Sequence, residues 1–249
     1  MATLFISDLH LDSTRPELSR FFFDFLAHRA RGADALYILG DFFEVWVGDD
    51  ERLPLHDAVA AALMGLSREG TGIFLMTGNR DFLLGPDFAE RCGASLLAEP
   101  HLIVLDGQRT LLMHGDALCT GDTEYQKFRA MTRDPTWQSK VLDRPLADRQ
   151  TMARQLRQVS MARNRGREES IMDVTPDEVA RVMNLHDATR LIHGHTHRPA
   201  AHDVTLAQGT GQRLVLGDWH ANSMVYAIAD GDGARLLTQR AEDLEMPAS

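Results

Sequence analysis

A chain of 249 residues with 44% apolar content can bury a sizeable core, as one large domain or as one domain with an insertion. Its formal charge of −10 repels polyphosphate and excludes nonspecific nucleic-acid binding, while a local basic patch stays compatible with one phosphorylated ligand. No stretch is long enough to span a bilayer, no signal peptide is expected, and Cys92 and Cys119 lack zinc or CxxC spacing, so free thiols in a reducing cytoplasm are expected.

Thr3 to Ser7 is short and β-rich, a buried strand that runs directly into Asp8-Leu9-His10. Residues two apart share a face of extended backbone, so this D-x-H aims a carboxylate and an imidazole at one point, as a metal requires. A helix follows, with Thr14 as the expected N-cap, Pro16 in the first turn, Leu18, Phe21, Phe22, Phe25 and Leu26 on one apolar face, and Gly32 past the end. Tyr37 to Leu39 is the next buried strand, and strand, helix, strand is the signature of a parallel crossover. It delivers Gly40-Asp41 at its C-terminal end, where open α/β sheets place their ligands.

Phe42 to Val47 is unusually apolar for a loop leaving such an edge, and burial under the next helix or the lining of an apolar groove are both open readings. Gly48 to Glu51 reads as a solvated turn. The alanine-rich stretch from Leu55 to Leu66 is a helix, closed by Gly70 and Gly72 before strand Ile73 to Met76. That strand ends in Gly78-Asn79-Arg80-Asp81, where the Asn79 amide oxygen suits a hard cation without adding charge. Phe82 to Leu84 is again apolar. Leu102 to Leu105 and Thr110 to Met113 flank Asp106-Gly107 as a hairpin, whose second arm delivers His114-Gly115-Asp116.

From about Asp122 to His186 the strands vanish. Tyr125, Phe128 and Met131 recur at helical spacing, as do Met152, Leu156 and Val159, and Thr175-Pro-Asp-Glu178 reads as a capping box. Arg154, Arg157, Arg163, Arg165 and Arg167 are each ordinary on a solvated helix face; together, beside Ser160 and Asn164, they read as a phosphate-facing wall. Strand Arg190 to Ile192 then enters His193-Gly-His195-Thr-His197, and strands Arg213 to Leu216, Ser223 to Ala229 and Ala234 to Thr238 follow. The expected division is a core of residues 1–121 and 187–241, an inserted helical cap of 122–186, and a disordered tail of 242–249.

Asp8, His10, Asp41, Asn79, His114, His195 and His197 make a mixed oxygen and nitrogen donor set without thiolate, which favours an open catalytic site for Mn²⁺, Fe²⁺, Zn²⁺ or Mg²⁺ over a closed structural zinc. Seven donors are too many for one ion that also binds water. Two ions sharing Asp41 use them all.

D-x-H, GD, GN, HGD and GH-x-H in this order resemble the calcineurin-like metallophosphoesterase superfamily, from Asp8 to His197 apart from the inserted helices. The resemblance implies an α/β fold, a four-layer α/β/β/α sandwich carrying the helical cap. It places one ion on Asp8, His10, Asp41 and His197 and the other on Asp41, Asn79, His114 and His195. Most members carry histidine where this chain has Arg80, and arginine cannot serve as a general acid. A phosphate leaving group, with a second pKa of about 6, needs no proton, so Arg80 points to phosphoanhydride cleavage.

Gly-Asn-Arg-Asp, Gly-Asp-Phe-Phe-Glu and the Arg-rich insertion resemble more closely the UDP-2,3-diacylglucosamine pyrophosphatase family of lipid A biosynthesis. That resemblance implies hydrolysis to UMP and 2,3-diacylglucosamine 1-phosphate with two divalent cations, Mn²⁺ in that family. It implies catalytic roles for Asp41, Arg80 and His195, and substrate contacts at Asn79, Arg80, Asp122, Ser160, Asn164, Arg167 and His195, with Arg167 standing where lysine is usual. Phe42 to Val47, Phe82 to Leu84, Phe128 and Met152 would build an acyl slot. The cap, with Trp137, would rest peripherally on the cytoplasmic face of the inner membrane, with no obligate protein partner. Asp81, Asp116 and Asp218 are candidates for orienting ligand imidazoles. The alternative is a soluble nucleotide pyrophosphatase or phosphodiesterase of the same superfamily.

Overall fold

The computed structural model describes residues 2–164 and 173–244, the side chains of 159–164 excepted. Its first half alternates β1 (Thr3–Ile6), α1 (Pro16–Phe25), β2 (Ala35–Leu39), α2 (Pro54–Arg68), β3 (Gly72–Met76), α3 (Pro86–Arg91) and β4 (Ala94–Leu97), with all four strands parallel. β5 (His101–Leu105) and β6 (Gln108–Met113) form the expected hairpin, with Asp106 and Gly107 both at positive φ (51° and 73°). Helices α4 (Thr123–Thr132), α5 (Pro135–Leu142), α6 (Leu146–Asn164) and α7 (Pro176–Leu185) precede β7 (Arg190–His193), β8 (Ala200–Leu206), β9 (Gly209–Val215), β10 (Ser223–Asp230) and β11 (Gly233–Arg240). The strands make two sheets, β11-β10-β1-β2-β3-β4 and β5-β6-β7-β9-β8.

Alternation along the strands sorts side chains into three apolar layers. Phe5, Tyr37 and Leu39 of the first sheet meet Leu112, Ile192 and Leu214 of the second. On the first sheet's other face, Leu4, Ile6, Leu36 and Ile38 pack against Phe22 and Phe25 of α1, Val59 and Leu63 of α2 and Phe88 of α3. On the second sheet's outer face, Leu111, Met113 and Leu191 take Val179, Val182 and Met183 of α7. The architecture is thus α/β/β/α, as expected. Because its apolar face is spent on the second sheet, α7 forms the fourth layer, although it falls inside the stretch read as the cap. Among the described residues no helix is long and apolar enough to cross a membrane.

Several local expectations are corrected. The residue before α1 is Arg15, with no side-chain cap; Thr14 instead donates its N–H and hydroxyl to Asp12 Oδ1 (2.7 and 2.6 Å). Thr175 does precede α7, but its hydroxyl accepts from Thr120 (2.7 Å) and Glu178 pairs with Arg181, so the reciprocal box does not form. Leu244, assigned to the tail, is 2% exposed within the main core. Gly48 to Glu51 does turn, the Glu51 N–H meeting the Gly48 carbonyl (3.2 Å), but its carboxylates are engaged rather than free in solvent. Asp49 accepts N–H bonds from Trp46, Gly85 and Phe88, Asp50 binds Arg149 of α6, and buried Glu51 accepts from Gln150 (2.7 Å).

Candidate active site

β1, β2 and β3 of one sheet and β6 and β7 of the other end at a common edge, and each is followed within a few residues by part of the donor set. Asp8 (φ 56°), His10 (49°), Asp41 (49°), His195 (68°) and His197 (55°) all lie in the left-handed region. Asp8 and His10 therefore do not converge by strand alternation, as expected above. The strand ends at Ile6, and two left-handed residues coil the backbone around the point they face. Such conformations cost of order 1–3 kcal/mol each and persist where packing over-determines them.

The structure brings all seven predicted donors together. His10 Nε2 and His197 Nε2 are 3.4 Å apart, and Asp8 Oδ1 lies 3.3 Å from His197 Nε2. Asp41 reaches both halves, with Oδ2 3.8 Å from His10 Nε2 and Oδ1 3.7 Å from His114 Nε2. Asn79 Oδ1 lies 3.0 Å from His114 Nε2 and 2.8 Å from His195 Nδ1. Donor atoms of Asp8, His10 and His197, and those of Asp8, Asp41 and His114, lie within 4.8 Å of one another. Asp8 Oδ2 accepts from Ser7 Oγ (2.6 Å) and from the His195 N–H (2.9 Å), while Oδ1, fully buried, accepts no hydrogen bond. A buried carboxylate oxygen that accepts no hydrogen bond yet lies among converging imidazoles fits divalent cations, and the absence of thiolate fits hard or borderline ones.

His114 is held from behind by a hydrogen bond, as ligating histidines are, and His197 and His10 each face a carboxylate on that side. His114 Nδ1–H donates to the Leu39 carbonyl (2.9 Å), His197 Nδ1 lies 3.3 Å from Asp218 Oδ2, and His10 Nδ1 lies 3.3 Å from Glu44 Oε2. Of the three aspartates expected in this role only Asp218 touches an imidazole. Asp81 instead accepts the N–H of Gly78 (2.6 Å) and of Phe42 (2.7 Å), binding the Asp41 and Asn79 loops to each other. Asp116 accepts from the Tyr125 hydroxyl (2.5 Å) and pairs with Arg129 (3.0 Å). Glu44 was missed by the sequence reading; its signal was a charge inside an apolar run.

Without cations the cluster's carboxylates draw protons onto two of its imidazoles. Burial works against a charged His197, yet its contacts with Asp218 and Asp8 carry it up to about 10. Burial likewise opposes His114, and Asp41, Asp116, Asp8 and Glu99 raise it to about 9. His195, buried beside His114, is pushed down to about 4. Burial and the neighbouring Asp41 push Asp81 up to about 6.

A cavity of about 260 Å³ opens beside Asn79 and Arg80. Trp46, Val47, Phe82 and Leu83 line its core side, and Phe128, Met152 and Leu156 its cap side, with Asp122, Tyr125 and Arg157 among the polar groups. Of the apolar residues expected in this slot, Phe42, Phe43 and Leu84 are core instead. Asp122 caps α4 by accepting the Tyr125 N–H (3.0 Å), and the Tyr125 ring stacks on His195 (centroids 6.1 Å apart). The side chains of Ser160 and Asn164, and all of Arg167, lie outside the described residues.

The calcineurin-like phosphoesterase family profile matches residues 1–199, and the chain belongs to that family. Among curated relatives it is 58% identical over 244 residues to the UDP-2,3-diacylglucosamine hydrolase of Hahella chejuensis, covering 98% of this chain and 100% of the relative. It is 56% identical to the enzyme of that name from Marinobacter nauticus (89% and 91% covered) and 56% to that from Cellvibrio japonicus (88% and 92%). Within the superfamily, the chain belongs with these hydrolases.

Proposed function

We propose that this chain hydrolyses the pyrophosphate bond of UDP-2,3-diacylglucosamine, releasing UMP and 2,3-diacylglucosamine 1-phosphate, with two Mn²⁺ ions. The observation that carries the reading is the apolar cavity between core and cap, which meets the donor cluster at one of its seven members, Asn79, beside Arg80. Acyl chains occupy the cavity and the diphosphate meets the cluster. Asp8, His10, Asp41 and His197 hold one cation; Asp41, Asn79, His114 and His195 hold the other. Such a pair, when bound, supplies positive charge for the phosphate oxygens and acidifies water. Arg80, poised beside Asp41 by its own backbone N–H to Asp41 Oδ1 (2.8 Å), neutralises charge building on the leaving phosphate. Asn79, Asp122 and His195 orient the substrate, and the further contacts expected at Ser160, Asn164 and Arg167 fall outside the described side chains.

In this reading the cap proper is α4 to α6, and it rests on the cytoplasmic face of the inner membrane. Met131 and Leu142 are its exposed apolar residues among those described, whereas the Trp137 ring turns inward to Phe82 (6.0 Å). Hydrolysis in ¹⁸O-labelled water with Mn²⁺ tests the assignment: label is expected in UMP. Turnover of non-acylated UDP-glucosamine equal to that of the acylated substrate would overturn the acyl-binding cavity and favour a soluble nucleotide pyrophosphatase.

A further inference from the structure

Glu44 sits at a point where core, cap and metal cluster meet. It is 8% exposed. Its Oε2 faces the core, 3.3 Å from His10 Nδ1 and 3.3 Å from Arg15 Nη2. Its Oε1 faces the cavity, 3.2 Å from Arg157 Nη2 of α6 and 3.9 Å from Arg80 Nη1. Burying a carboxylate costs several kcal/mol unless partners compensate. The arginines do not require it for their own sake: the side chains of Arg15, Arg80 and Arg157 are 39%, 27% and 41% exposed and can be solvated where they stand. The carboxylate therefore serves an arrangement rather than the neutralisation of any one cation. Two guanidiniums, Arg80 and Arg157, against one carboxylate also leave net positive charge on the cavity side, as a diphosphate requires.

We propose that Glu44 is a positioning residue that couples the cap to the metal cluster, fixing the His10 ring through one oxygen and drawing Arg157 and Arg80 to the cavity mouth through the other. The inference rests on reading His10 as a metal ligand. The expected consequence of Glu44→Ala is a loss of Mn²⁺ affinity of about 10- to 100-fold, the range seen when a ligand's supporting partner is removed, measured by the electron paramagnetic resonance of free Mn²⁺. Amide exchange across residues 146–158 of α6, followed by mass spectrometry on the metal-free chain, is expected to quicken, because Arg157 loses its anchor. Glu44→Gln keeps an oxygen opposite His10 and drops the charge, so its Mn²⁺ affinity should stay nearer to wild type while α6 exchange quickens as in the alanine variant. Wild-type Mn²⁺ affinity or wild-type α6 exchange in Glu44→Ala overturns the proposal. Should that variant not fold, unchanged α6 exchange in Glu44→Gln overturns it. A wild-type chain that takes up no Mn²⁺ would instead defeat the metal assignment, and neither readout depends on the substrate.

Discussion

Gly78→Ala places one methyl group between the two loops that carry Asp41 and Asn79. The added carbon would lie 2.8 Å from Asp41 Cγ and nearer still to the Asp41 backbone N and Oδ1. Comfortable contact begins near ~3.5 Å, so the loops must part by about 1 Å. Gly78 is not among the residues at positive φ, and the cost is therefore contact alone. Neither neighbour can yield easily, because Asp41 Oδ1 accepts the Arg80 N–H (2.8 Å) and Asp81 ties Gly78 to Phe42. Overpacking of this kind costs roughly 1–3 kcal/mol, which in a domain of this size lowers Tm by about 2–4 °C per kcal/mol. Displacing catalytic groups by ~1 Å costs about 100-fold in rate. Differential scanning calorimetry and chromatographic UMP release at saturating Mn²⁺ read the two effects. Wild-type Tm together with wild-type UMP release in Gly78→Ala would refute the close approach of these loops and the argument built on it.

Three other outcomes are expected. His197 and His114, carried up to about 10 and about 9 in the metal-free chain, must lose protons to bind a cation. Mn²⁺ uptake below about pH 9 should therefore release protons to a pH indicator, with affinity rising as pH rises; a flat affinity between pH 6 and 8 would count against protonated ligands. Burial pushes Cys92 and Cys119 up to about 12, so iodoacetamide at pH 8 should leave both unmodified in the native chain and label both after denaturation; rapid native labelling would contradict their burial. Arg149→Met removes a 3% exposed guanidinium from the Val47 carbonyl (2.6 Å), the Arg144 carbonyl (3.0 Å) and Asp50. Each buried acceptor left unpaired costs about 1–3 kcal/mol, so Tm should fall and KM for the acylated substrate should rise, and an unchanged Tm would show that this latch contributes nothing.

The donor set was legible because each element of it is a short contiguous motif at the end of a β-rich run, and five such motifs in one order constrain one another. How the donors converge was not legible. Asp8 and His10 suggested alternation along a strand, whereas left-handed backbone turns them inward, and no composition signal distinguishes an aspartate in that conformation from one in an ordinary turn. Gly48 to Glu51 was misread for a related reason. Charges in a Gly-Asp-Asp-Glu run are ordinarily solvated, and the partners that engage these, Arg149 and Gln150, lie 99 residues away in sequence from Asp50 and Glu51. The α/β/β/α layering followed from the parallel crossover and the family resemblance, but α3, β4, α5 and β8 went unread. β4 and β8 are edge strands whose side chains are largely exposed, leaving little apolar alternation to detect. The role of α7 was hidden for a different reason: its apolar face is plain, but the chain does not say that the face is spent on the second sheet rather than on the cap.

Hydrolysis is proposed to need two cations, held by side chains from five strand ends. Titrating the metal-free chain with Mn²⁺ while following both bound metal and UMP release from UDP-2,3-diacylglucosamine tests it most directly. Two bound Mn²⁺ per chain are expected, with hydrolysis appearing as the second is taken up and abolished by a chelator. Full hydrolysis at one equivalent, or UMP release that persists in the chelated chain, would contradict it.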